Sequence, residues 1–135
     1  DRIARLVRDL TLSIGRGEWL IRAQHPITTA DSEPEPDLAI VRDGRYDHRH
    51  PDPHDIACVV EVADSSLVRD RQSKARIYAR AGIARYLIVN LVDRVVEIHT
   101  DPVDDEQPRY RSIERVNAGP VDLGPLVVEA ADLLA

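Results

Sequence analysis

Methionine and phenylalanine are absent from the 135 residues, and there is only one cysteine and one tryptophan. Without Phe or Met, the interior has to be built from Val, Ile, Leu and Ala, with Trp19 and four tyrosines. A single cysteine excludes an internal disulfide, and Cys58, set in an apolar run, reads as a small buried residue. No apolar stretch approaches the roughly 20 residues needed to cross a bilayer, so no membrane span is expected. No secretory signal is visible, and the expected compartment is the cytoplasm. The chain opens on Asp1 and already reads as helix there, so further residues are expected to precede it. A Gly-rich phosphate loop is also lacking, which counts against a nucleotide hydrolase or phosphatase.

Lysine is scarce as well: 17 of the 18 basic residues are arginine, and the exception is Lys74. What is present is an ordinary apolar fraction of 43% and a charged fraction of 31%, in a chain long enough for one core. One domain spanning 1–135 is therefore expected. The net charge is −6, but it is unevenly spread. Residues 1–30 carry +2, residues 31–64 carry −7, residues 65–85 carry +5 and residues 86–135 carry −6. An acidic stretch followed by a short basic one suits a metal site beside a phosphate-binding face, and equally a solvated helix.

Ile3, Leu6, Val7, Leu10 and Ile14 recur at helical spacing, predicting an amphipathic helix that ends near Gly15 and Gly17. Residues 18–24, 37–42, 56–63, 86–91, 94–100 and 109–115 read as strands. The run 56–63 and the run 86–91 are so continuously apolar that burial on both faces is expected. Residues 43–55 read as a polar loop and 101–108 as an acidic one. A helix is predicted from about Leu67 to Ala81, capped by Ser65 or Ser66 and ended by Gly82. The tail 126–135 is compatible with strand or helix. The order α-β-β-β-α-β, followed by more β, predicts a three-layer α/β arrangement around a mixed sheet.

Three residues stand out. Glu61 lies inside an eight-residue apolar run, where a lone carboxylate costs several kcal/mol unless something pairs with it. Asp37 follows Pro36 and opens the preceding strand. Pro-Asp by itself is ordinary turn chemistry, but a carboxylate on a neighbouring strand can approach Glu61 to a few ångströms. Two such carboxylates suit Mg²⁺, which accepts one or two carboxylates and a carbonyl and keeps water or phosphate in its other positions. Lys74 lies on the helix after the Glu61 strand. At 100° per residue it shares a stripe with Leu67, Tyr78 and Ala81, so its ammonium is expected to point at the sheet. A lysine is a compact charge on a flexible stem, able to hold a water or neutralise a phosphate. Asp70, one turn earlier, reads as an i,i+4 partner of Lys74 or as a residue orienting it. Gln24 closes the first strand and is a candidate for touching substrate or a metal-bound water. His48, His50 and His54 have no common zinc spacing and read as a surface loop.

Asp37, Glu61 and Lys74, in this order, resemble the PD-(D/E)XK nuclease superfamily. The segments SEPEPDLAIV (32–41), ACVVEVADSS (57–66) and RDRQSKARIYARAGIARYLIV (69–89) resemble its Uma-type restriction endonuclease family (domain of unknown function 820). The resemblance implies a restriction-endonuclease-like α/β/α core and Mg²⁺-dependent hydrolysis of DNA, duplex or branched, with Mn²⁺ as an alternative ion. It also implies Asp37 and Glu61 as metal ligands, with the backbone carbonyl of Val62 or Ala63, and Lys74 as the catalytic lysine. The superfamily pattern places its lysine two residues after the Glu, where this chain has Ala63; the Uma-type pattern moves it to the following helix. Many members of the superfamily carry a glutamate on the first helix; the first helix here contains no Glu, and with residues expected before Asp1 a fourth carboxylate stays open. A competing expectation, favoured by the charge of −6, is a catalytically inactive binding or regulatory module on the same fold. A homodimer would give either version a larger footprint.

Overall fold

A computed structural model describes residues 1–65 and 67–135. The chain forms α1 (Arg2–Ile14), β1 (Trp19–Ala23), β2 (Leu38–Arg42), β3 (Ile56–Ala63), α2 (Leu67–Ser73), α3 (Ala75–Ala81) and β4 (Arg85–Asn90). It continues with β5 (Val95–Val103), β6 (Arg109–Val116), β7 (Pro120–Asp122), β8 (Val127–Glu129) and α4 (Ala130–Leu134). One six-stranded sheet runs in the order β1-β2-β3-β4-β5-β6, and β7 and β8 form a separate hairpin. β3 and β4 are parallel and joined through α2 and α3; every other neighbouring pair in the large sheet is antiparallel.

Side chains alternate across this sheet and so build two cores. Leu6 and Leu10 of α1 and Leu133 and Leu134 of α4 pack with Cys58, Val60, Leu87, Val89 and Val96. On the opposite face, Tyr78 and Ala79 of α3 pack with Val59, Ala63, Tyr86 and Ile88. Helices thus cover both faces, giving the three-layer α/β/α arrangement with a mixed sheet.

Several local features differ from the sequence reading. The helix expected over 67–81 is broken at Lys74, which has φ −70° and ψ −15°. The Ser73 hydroxyl donates to the Asp70 carbonyl at 2.8 Å, competing for the acceptor that the Lys74 N–H uses at 3.2 Å. Back-bonding of this kind bends helices. Leu67 is 41% exposed, so the packed stripe begins only later. Ser66 lies outside the described residues, and the cap proposed for it with it. The acidic loop shrinks to 104–108 because β5 runs on to Val103. Pro102 is tolerated there since the β4 pairing stops at Thr100, leaving no β4 acceptor that needs the N–H proline lacks. The tail resolves as strand and then helix. Within the loop 43–55, a single 3-10 turn at Pro53–Asp55 is capped by Asp52.

Candidate active site

The β2–β3 register pairs Leu38 with Val60 and Ala39 with Val59. Continued by one position, it sets Asp37 opposite Glu61 on the face covered by α2 and α3. Asp37 Oδ2 accepts the Val62 N–H at 2.8 Å, which anchors the carboxylate at the end of β3. Glu61 is fully buried. Its Oε2 accepts the Tyr86 hydroxyl at 2.7 Å, and its Oε1 lies 3.5 Å from Lys74 Nζ. Lys74 is 27% exposed and aims its ammonium at the carboxylate, as the helical stripe predicts. Asp37, Glu61 and Lys74 are therefore brought together.

Arg71, which sequence reasoning passes over, joins them. Its guanidinium lies 3.7 Å from both Asp37 Oδ2 and Glu61 Oε1, and its Nε is 3.5 Å from the Val62 carbonyl oxygen. Among 17 arginines nothing in the sequence distinguishes this one. Tyr86 was also hidden, as one more apolar residue of a buried strand. Its hydroxyl is placed between Glu61 and the Arg71 carbonyl, the second contact being 2.8 Å.

Burial raises the Glu61 carboxyl above its ordinary pKa. The Tyr86 hydrogen bond, Lys74 and Arg71 pull it down, and Asp37 adds to the rise. Burial and the Glu61 charge push the Tyr86 hydroxyl far up, so it remains a donor. The same causes raise Tyr78, whose buried hydroxyl has no hydrogen-bond partner among the described residues.

Other sequence candidates fall at the margin. Gln24 meets Asp37 through its backbone N–H, which donates to the Asp37 carbonyl at 3.1 Å, while its side chain is exposed. Asp70 is exposed, and its carboxylate lies 3.6 Å from Arg71; the i,i+4 pair with Lys74 does not form among the described residues. Of the two carbonyls considered, Ala63's accepts the Leu91 N–H at 2.8 Å, whereas Val62's faces Arg71. A cleft of about 310 Å³ opens onto Asp37, Val62 and Arg71, with Asp1 and Arg2 of the first turn on its rim. A larger cleft of about 600 Å³, between Asp31, Arg80 and Asp104, contains none of the three candidate residues.

The donor chemistry suits a hard divalent cation that keeps several waters: two carboxylates and a backbone carbonyl, with no soft ligand. No cluster of three or more His, Cys, Asp or Glu with metal-site geometry occurs among the described residues. Orphaned Tyr78 beside Glu61 adds a buried polar atom at this point.

Six mixed strands with helices on both faces, and acids meeting at the ends of β2 and β3, define a restriction-endonuclease-like α/β protein. The Uma2 family, described as putative restriction endonuclease, matches residues 1–132, and the chain belongs to this family. Among solved structures, it is similar to a putative nuclease belonging to DUF820 from Anabaena variabilis ATCC 29413, with TM-score 0.72 and 11% identity. That match covers 98% of this chain and 78% of the other. No curated protein matches significantly.

Proposed function

We propose that the protein is a metal-dependent endonuclease that hydrolyses DNA phosphodiesters. The observation carrying this reading is the convergence of Asp37, Glu61 and Lys74, with Asp37 and Val62 lining an open cleft, in a chain of this family. Asp37, Glu61 and the Val62 carbonyl would hold Mg²⁺ or Mn²⁺. The bound ion would supply a more acidic water and neutralise charge on the phosphate. Lys74 would hold the attacking water or offset charge growing on the phosphoryl oxygens. Its ion pair is with Glu61, so the ammonium does not occupy Asp37. Tyr86 would keep Glu61 in place by its hydrogen bond. Substrate would be duplex or branched DNA, and a second copy of the chain would extend the narrow basic surface, in the cytoplasm.

Cleavage of supercoiled plasmid with Mg²⁺ or Mn²⁺ tests this. Asp37→Ala, Glu61→Ala and Lys74→Ala should each lose roughly 10²-fold or more. Lys74→Arg keeps the charge but not the compact donor, and should also lose most activity. Equal residual cleavage in the wild type and the three alanine variants would overturn the proposal and favour a binding module on the same fold.

A further inference from the structure

We propose that the Arg71 guanidinium is a resident cation that competes with the divalent metal for its own ligands. This inference rests on the metal reading above and goes beyond it. The three groups assigned to the ion, Asp37, Glu61 and the Val62 carbonyl, are all faced by Arg71, at 3.7, 3.7 and 3.5 Å. A planar guanidinium and a metal ion cannot both lie against the same three oxygens. Lys74 differs: it touches Glu61 only, so it coexists with a bound ion.

Three features make Arg71 displaceable. Its contacts are well beyond the 2.7–2.9 Å of a tight charge-assisted hydrogen bond, so the hold is loose. Its backbone is held apart from its guanidinium, because its carbonyl lies 2.8 Å from the Tyr86 hydroxyl, and the side chain can swing without moving α2. An outer acceptor is at hand in the exposed Asp70 carboxylate, 3.6 Å from the same guanidinium. In the metal-free protein Arg71 compensates two facing carboxylates, one of them fully buried. When the ion takes them over, the freed fork turns toward solvent at the cleft, where a phosphate is the matching bidentate partner. Metal affinity is then set by displacement as well as by the ligands.

Titration calorimetry with Mn²⁺ alone, on the intact chain without DNA, tests the competition. Arg71→Gln should bind Mn²⁺ about tenfold more tightly than wild type, the equivalent of two partly buried ion pairs no longer to be broken. Lys74→Gln removes an equal charge next to Glu61 without touching the other two ligands, and should gain only about two- to threefold from the altered field. A gain in Arg71→Gln no larger than in Lys74→Gln would overturn the proposal. If Arg71→Gln does not fold, Arg71→Lys decides: a point charge cannot span three oxygens, so its affinity should exceed wild type, and an unchanged value overturns the idea. Saturable binding that is equal in all the proteins removes the competition alone. Absence of Mn²⁺ binding in every one of them removes the metal reading, and the competition with it.

Discussion

The two faces of the same sheet are built differently. Toward α1 and α4, the central strands present Cys58, Val60, Leu87, Val89 and Val96, all apolar or nearly so. Toward α2 and α3, the alternate residues of those strands include Glu61, Asn90, Glu97 and His99, four of the five buried polar or charged residues described. The registers align Glu61 with Ile88 and Ile88 with Glu97, so one row across the sheet carries two buried carboxylates. Each has partners: Tyr86, Lys74 and Arg71 for Glu61, and Asn90 at 2.9 Å, Gln72 at 3.2 Å and Arg115 at 3.7 Å for Glu97. One face supplies burial; the other accepts a desolvation cost to hold polar groups in place. A buried polar network of this sort specifies geometry more than it stabilises.

The sharpest way to break this contrast is one substitution per face. Leu87→Ala, on the apolar face, should cost roughly 2–5 kcal/mol in denaturant unfolding and leave the Mn²⁺-induced rise in Tm intact. Glu61→Gln, on the polar face, should leave the metal-free Tm unchanged or higher, because it removes a charge that its surroundings disfavour, and should abolish that metal-induced rise. A Leu87→Ala protein that loses its metal response as fully as Glu61→Gln would show that the faces are not separable.

A smaller effect follows from pH. The folded-state pKa of Glu61 is raised above its ordinary 4.5, so the folded protein holds that proton more tightly than the unfolded chain. The stabilisation from this group is complete below about that ordinary value and is lost as pH rises through the raised one. Metal-free stability should therefore decline as pH rises through that window, and Glu61→Gln should flatten the decline. Tyr86→Phe removes a hydrogen bond that favours the carboxylate; it should shift the window to higher pH and cost about 1 kcal/mol at neutral pH. Unfolding curves across pH would show it, and a window displaced downward would contradict it.

The smallest effect is expected at Gln24, whose backbone has φ 54° and whose contact to Asp37 is made by its N–H. Gln24→Gly keeps that donor in a conformation glycine adopts freely, so stability should change by less than about 1 kcal/mol and plasmid cleavage by less than about twofold. A large loss of cleavage would restore a role for its side chain.

Much of this site was legible because the sequence contains local contradictions. A Glu inside IACVVEVA and a lone lysine among arginines each break the pattern around them, and both reach the site. Glu97 shows the opposite case. RVVEIHT alternates apolar and polar residues, yet Glu97 and His99 are 2% and 3% exposed. Alternation tells which residues share a face but not whether a helix covers that face, and here Gln72 of α2 lies over it.

By itself, the sequence determined the alternation of strands and helices, the apolar identity of β3 and β4, the helical stripe carrying Lys74, and the family. The first three follow from short-range periodicity and composition, which need no knowledge of distant neighbours; the family follows from the likeness of particular segments. The tertiary structure decided that Asp37 faces Glu61, that Tyr86 reaches both Glu61 and the Arg71 carbonyl, and that Arg71 rather than another of 17 arginines lies against the candidate ligands. Those facts depend on strand register and on where α2 crosses the sheet. One residue of slip in register would send each strand side chain to the opposite face, one residue along α2 would turn Arg71 by about 100°, and no local pattern encodes either choice.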